Sequence, residues 1–136
     1  MPTILKYTIL ECSSFEDWFL RIRLNMRYEQ WSVEYWIDES GKRTVEHWLL
    51  KLTREQFKAV SKELKLLEIC GNKLKLPHSR ALGKGLFELR EQRYGFRIYY
   101  GFYKDKIIIL LHAGDKSKQQ SDIKIARARL VQIQST

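Results

Sequence analysis

The stretch LFELREQRYGFRIYYGFYKDKIIILLH, residues 86–112, is where the fold is decided. It divides into three runs, 86–91, 96–103 and 107–112, rich in the β-branched and aromatic residues that suit a pleated, half-buried surface. The breaks between them, Arg93-Tyr94-Gly95 and Lys104-Asp105-Lys106, are short enough for hairpin turns. An antiparallel meander of three strands follows. The run Ile107-Ile108-Ile109-Leu110-Leu111 is apolar at odd and even positions alike, so it predicts an interior strand covered on both faces.

Towards the C-terminus, residues 122–134 place Ile123, Ala126, Leu130 and Ile133 on one face of a helix. Towards the N-terminus, residues 72–85 (NKLKLPHSRALGKG), punctuated by Pro77, Gly83 and Gly85, predict a loop. Before it, Thr53 and Gln56 form a T-x-x-Q capping box, Phe57, Val60, Leu64 and Leu67 follow at helical spacing, and Gly71 stops the helix. A shorter helix over 44–52 carries Val45, Trp48, Leu49 and Leu52, and with almost no linker the two predict an antiparallel helical hairpin. Residues 31–38 (WSVEYWID) predict an opening strand, ended by the turn Glu39-Ser40-Gly41-Lys42. The plan is one α+β domain over 31–136: a small antiparallel sheet, an N-terminal helical hairpin and a C-terminal helix.

Residues 1–30 stand outside this plan as an N-terminal extension. YTILE (7–11) resembles YWIDE (35–39), and FEDWFLRI (15–22) resembles VEHWLLKL (45–52), so the opening strand and helix are written twice. A partial duplication and a chance likeness both fit, and Met26 offers an alternative start that omits the first copy.

With 136 residues, 44% of them hydrophobic, the chain is long enough to bury a core without disulfides or metal, which excludes whole-chain disorder. No apolar run approaches a membrane span, and the N-terminus lacks a signal-peptide pattern. Cys12 and Cys70 set neither a disulfide framework nor a zinc pattern, so the expectation is a cytoplasmic protein. The net charge is +9 and is confined to one half. Residues 1–72 hold 11 basic and 11 acidic side chains, whereas residues 73–136 hold 14 basic and 5 acidic, which is the whole excess. Such lopsidedness favours a polyanion, nucleic acid first and a membrane surface second, over a merely solvated face.

Common catalytic templates are missing: there is no G-x-S-x-G, no Gly-rich phosphate loop and no H-E-x-x-H. His47, His78 and His112 lack ligand spacing, so neither metal nor cofactor is expected. The notable set is cationic. Arg90 ends the first meander strand, Arg97 begins the next, and Asp115-Lys116-Ser117-Lys118 follows the third. Cations fixed around one surface hold a scissile phosphate and stabilise charge in its transition state. Arg supplies a two-pronged fork for phosphate oxygens, and a crowded Lys serves as a base. Pairing of Arg90 and Arg97 with Glu88, Glu91 or Asp115 across the sheet fits the same spacing. Interleaved aromatics (Phe87, Tyr94, Phe96, Tyr99, Tyr100, Phe102 and Tyr103) suit either core packing or stacking on unpaired bases.

The motifs GLFELRE, YGFRIYYGF and GDKSKQQSDIKIARARL, with the opening VEYWIDESGK, resemble the HigB-like addiction-module killer proteins of the RelE/ParE toxin superfamily. The resemblance covers about residues 32–131 and departs where Ala113 replaces a frequent glycine. It implies a RelE-like fold and the toxin of a type II toxin–antitoxin pair. The implied activity is metal-independent cleavage of mRNA on the ribosome by 2′-hydroxyl attack, with a helix-turn-helix antitoxin as partner. Carried over by motif, Arg90 and Arg97 bind and polarise the phosphate, Lys116 acts on the leaving group, and Asp115 orients Lys116. Lys73, Lys75, Arg80, Lys84, Arg93 and Lys118 then form the RNA-binding footprint. Inhibition of DNA gyrase by protein contact, as in other members of the superfamily, is the alternative, and an inactive antitoxin-binding co-repressor is the third.

Overall fold

The computed structural model describes residues 31–135, which run β1 (Ser32–Tyr35), α1 (Thr44–Leu50), α2 (Arg54–Cys70), β2 (Ser79–Gly83), β3 (Leu86–Glu91), β4 (Phe96–Tyr103), β5 (Ile107–Asp115) and α3 (Gln119–Gln134). The extension, its partial repeat, Cys12 and Met26 lie outside the described residues.

The helix signals act as written. Thr53 N donates to Gln56 Oε1 at 2.9 Å and Gln56 N to Thr53 Oγ1 at 3.2 Å, which satisfies two amides that the first turn of α2 leaves open. Gly71 ends α2 at φ +53°, with the Trp31 indole packed where a Cβ would stand.

The strands form one sheet in the order β1-β5-β4-β3-β2. Strands β2 to β5 pair antiparallel, and β1 adds parallel to β5. β5 is thus interior, as its two apolar faces predict. Strand β2 is a correction, because it lies inside the segment read as a loop. Its burial is mostly low, as befits a sheet edge, so it needs no apolar alternation to form.

Helices cover both faces. Leu89, Ile98, Tyr100, Ile108 and Leu110 pack with Val45 and Leu49 of α1 and Val60, Leu66 and Leu67 of α2. On the other face Leu86, Tyr99, Ile109 and Leu111 pack with Ala126 and Leu130 of α3. A bulge between β4 and β5 pairs Tyr99 with His112 but Tyr100 with Leu110, leaving Leu111 extra. Leu111 and His112, though adjacent, therefore both serve the α3 face. No helix among the described residues is long and apolar enough to cross a membrane.

Candidate phosphate-binding face

Strand alternation and register assemble a polar surface under the first turns of α3. Arg80, Glu88, Tyr99 and His112 are partners in one row across β2, β3, β4 and β5. Arg90, Arg97 and Gly114 form the next row. Arg90 and Arg97, assigned from separate motifs, are therefore direct neighbours.

Glu88 sits between them, fully buried. Its Oε1 lies 3.9 Å from Arg90 Nε and its Oε2 lies 3.7 Å from Arg97 Nε. Gln119, the first residue of α3, donates from Nε2 to Glu88 Oε2 at 2.6 Å. These Glu–Arg distances are ion pairs beyond hydrogen-bonding length. No hydrogen bond from either guanidinium is found among the described residues, and both Nε atoms are buried without a partner. Arg97 is 5% exposed, whereas the Arg90 side chain is 32% exposed. Both readings of these arginines thus meet in one place: they pair with Glu88, yet their donors stay open.

Around this trio the contacts are polar. His112 Nε2 lies 2.8 Å from Asp122 Oδ1, and His112 Nδ1 lies 3.3 Å from Arg129 Nη1. A guanidinium only donates, so Nδ1 accepts and Nε2–H donates to Asp122. With both nitrogens engaged, His112 ties β5 to α3. Asp122 reaches so close to Gly114 that a Cβ there would overlap its Oδ2. Tyr99, fully buried, has its phenol pushed well above its ordinary value by burial and by the charges of Glu88 and Asp122.

Lys116 is exposed beside Gly95 of the β3–β4 turn, close to the arginine row. Asp115, expected to orient Lys116, is engaged by Ser117. It accepts from Ser117 N at 2.9 Å and from the Ser117 hydroxyl, contacts that hold its carboxyl below the usual range. It caps the turn that leads into α3.

The expected RNA footprint divides in two. Arg80 lies in the Glu88 row, Lys118 follows Lys116, and Arg93 stacks 5.1 Å over the Tyr94 ring in the β3–β4 turn. Lys75 belongs to the turn whose His78 carbonyl accepts from Arg90 N. Lys73 and Lys84 are at the far end of the sheet. Lys73 lies with Trp31 and Asp105 around a cavity, and Lys84 occupies the β2–β3 turn beside Gly85, which faces Gln134 at the end of α3. Charge counting along the chain carries no information about which end of a strand a lysine occupies. Most of the aromatics are core: Tyr99 and Tyr100 are buried, and Phe87, Phe96 and Phe102 pack against the α1–α2 side.

Sequence reasoning named Glu88 only as one possible pairing partner for the arginines and assigned no role to Gln119 or Asp122. The available signal was alternation, which puts Glu88 on the same face as Arg90 two residues on. Among the described residues no three His, Cys, Asp or Glu side chains converge to hold a metal ion.

The family described as phage derived protein Gp49-like matches residues 47–131 of this chain. An uncharacterized protein of Haemophilus influenzae is 36% identical over 86 residues, which cover 62% of this chain and 83% of that protein. Among solved structures, the isolated Escherichia coli RelE toxin aligns over 70% of this chain and 98% of its own, with a TM-score of 0.46 and 15% identity.

Proposed function

The chain belongs to the Gp49-like family of phage-derived proteins, a family of RelE- and HigB-type toxins, and on that premise we propose that it cleaves mRNA at the ribosome as the toxin of a toxin–antitoxin pair. The observation that carries this reading is the pair of adjacent arginines with open donors. An arginine buried without hydrogen-bond partners costs stability and calls for an explanation. A phosphodiester supplies one, because its two free oxygens match the guanidinium fork.

In the proposed reaction the 2′-oxygen attacks the adjacent phosphorus and the bond to the 5′-oxygen breaks, leaving a 2′,3′-cyclic phosphate and a 5′-hydroxyl. Arg90, on the open side, grips the non-bridging oxygens, and Arg97 adds charge from beneath. Lys116, exposed beside the row, gives a proton to the leaving 5′-oxygen, while the 2′-hydroxyl proton passes to solvent water. Arg80, Arg93 and Lys118 line the approach and follow the backbone. A helix-turn-helix antitoxin is the proposed partner.

The burial of Arg97 favours one other reading, because a toxin that blocks gyrase by protein contact needs no accessible phosphate fork. The two readings part in a single comparison. The purified chain is added to programmed ribosomes and cleavage is mapped by primer extension, with Arg90→Ala and Lys116→Ala alongside and gyrase supercoiling assayed in parallel. Cleavage by the wild type that both substitutions suppress is the expected result. Absent cleavage, or cleavage unchanged in both variants, overturns the mechanism.

A further inference from the structure

We propose that Glu88 is a positioning residue, whose buried carboxylate, seated by Gln119, pins the Arg90 and Arg97 guanidinia side by side so that the Arg90 fork faces one phosphodiester with the Arg97 charge beneath it. The inference rests on the RNA-cleaving reading above. Arg90 and Arg97 are direct cross-strand partners, and like charges so placed repel unless a counter-charge separates them. Glu88 divides its two oxygens between them, Oε1 towards Arg90 and Oε2 towards Arg97. At 3.9 Å and 3.7 Å it attracts both heads without hydrogen-bonding to either. Gln119 fixes the carboxylate from above with a 2.6 Å bond, so the first residue of α3 belongs to the same assembly.

The charge arithmetic is consistent with this role. Two guanidinia and one carboxylate leave a single positive charge, which one phosphodiester neutralises. Without Glu88 the pair would carry two charges, attract phosphate more strongly and hold it less exactly. Affinity and rate should therefore move in opposite directions when the carboxylate is removed, which a merely structural role would not produce.

The test uses the full chain carrying Glu88→Gln, checked for fold by circular dichroism. Binding is measured to ribosomes programmed with mRNA bearing a 2′-deoxy sugar at the cut, and single-turnover cleavage on the unmodified mRNA. Glu88→Gln is expected to lower the maximal rate on the order of 100-fold. Half-saturation should stay equal or become tighter, and Glu88→Asp should recover part of the rate. A wild-type rate in Glu88→Gln, or a loss that lies entirely in half-saturation, overturns the proposal. Should Glu88→Gln fail to fold, Gln119→Ala takes its place. A smaller drop in maximal rate at unchanged half-saturation is then expected, and an unchanged rate overturns. A second readout is independent of cleavage: nitrogen relaxation at Nε should find the Arg90 and Arg97 guanidinia ordered in the wild type and more mobile in Glu88→Gln. Unchanged order in the variant overturns the pinning. A wild type that cleaves nothing defeats the function instead, while this relaxation still decides the role of Glu88.

Discussion

Arg90 and Arg97 carry the same charge and share one register position, yet substitution should affect them differently. Arg97 is 5% exposed, so Arg97→Ala strands the fully buried Glu88 with half of its counter-charge. Breaking a buried pair in this way costs about 3–5 kcal/mol, to be read as a lowered denaturant midpoint. Arg90 is more open and partly solvated, so Arg90→Ala should lower the midpoint less than Arg97→Ala does, while abolishing cleavage. A variant pair that loses stability to the same extent would contradict this division. The adjacency of the two arginines was legible from the meander, because a short turn brings the end of one strand beside the start of the next. The burial of Glu88 was not: a glutamate between apolar neighbours reads as the exposed residue of an alternating strand, and only the covering helix reverses that.

Among the elements, α3 is two-natured. Its first turns meet the sheet through Gln119 and Asp122, and its later turns through Ala126 and Leu130. Leu130 fills the space that Gly101 opens on β4, where a Cβ would lie 2.7 Å from the leucine Cδ1. Leu130→Ala should cost about 2–5 kcal/mol and Gly101→Ala about 1–3 kcal/mol, both measurable by thermal unfolding. On the opposite face, Thr53→Ala removes the α2 cap for about 1 kcal/mol. The cap was visible in the sequence because its two side chains act locally, three residues apart. Strand β2 was not, because Pro77, Gly83 and Gly85 bracket a short charged segment, and what makes it a strand is its pairing with β3.

For the whole molecule, charge and pH make separate demands. The +9 excess was legible as a count, but β-pairing sends Lys73 and Lys84 to one end and Lys75, Arg90, Arg93 and Lys116 towards the other. Neutralising Arg93 and Lys118 should therefore weaken binding to programmed ribosomes and flatten its salt dependence, whereas neutralising Lys73 and Lys84 should do neither. Alkaline stability follows from two tyrosines. Burial pushes the Tyr100 phenol up to about 12, against the Ser79 hydroxyl bond, and raises Tyr99 still further. The unfolded chain releases these protons near pH ~10 while the folded chain keeps them. Their contribution is thus complete below pH ~10 and is lost as pH rises towards the folded values. Denaturant midpoints followed by phenolate absorbance should fall across that window, and a flat profile would contradict it.

The extra residue in β5 sets the phase of everything after it. Up to Leu111 the strand obeys a two-residue beat, and the bulge skips one beat before His112. Deleting Leu111 would restore the regular beat and leave His112 and Gly114 on the faces and partners they now have. What it would remove is the Leu111 carbonyl, which accepts from Arg129 Nη1 at 2.7 Å. One backbone irregularity thus gives the last helix a carbonyl to hold, beside the cationic row that the same strand borders.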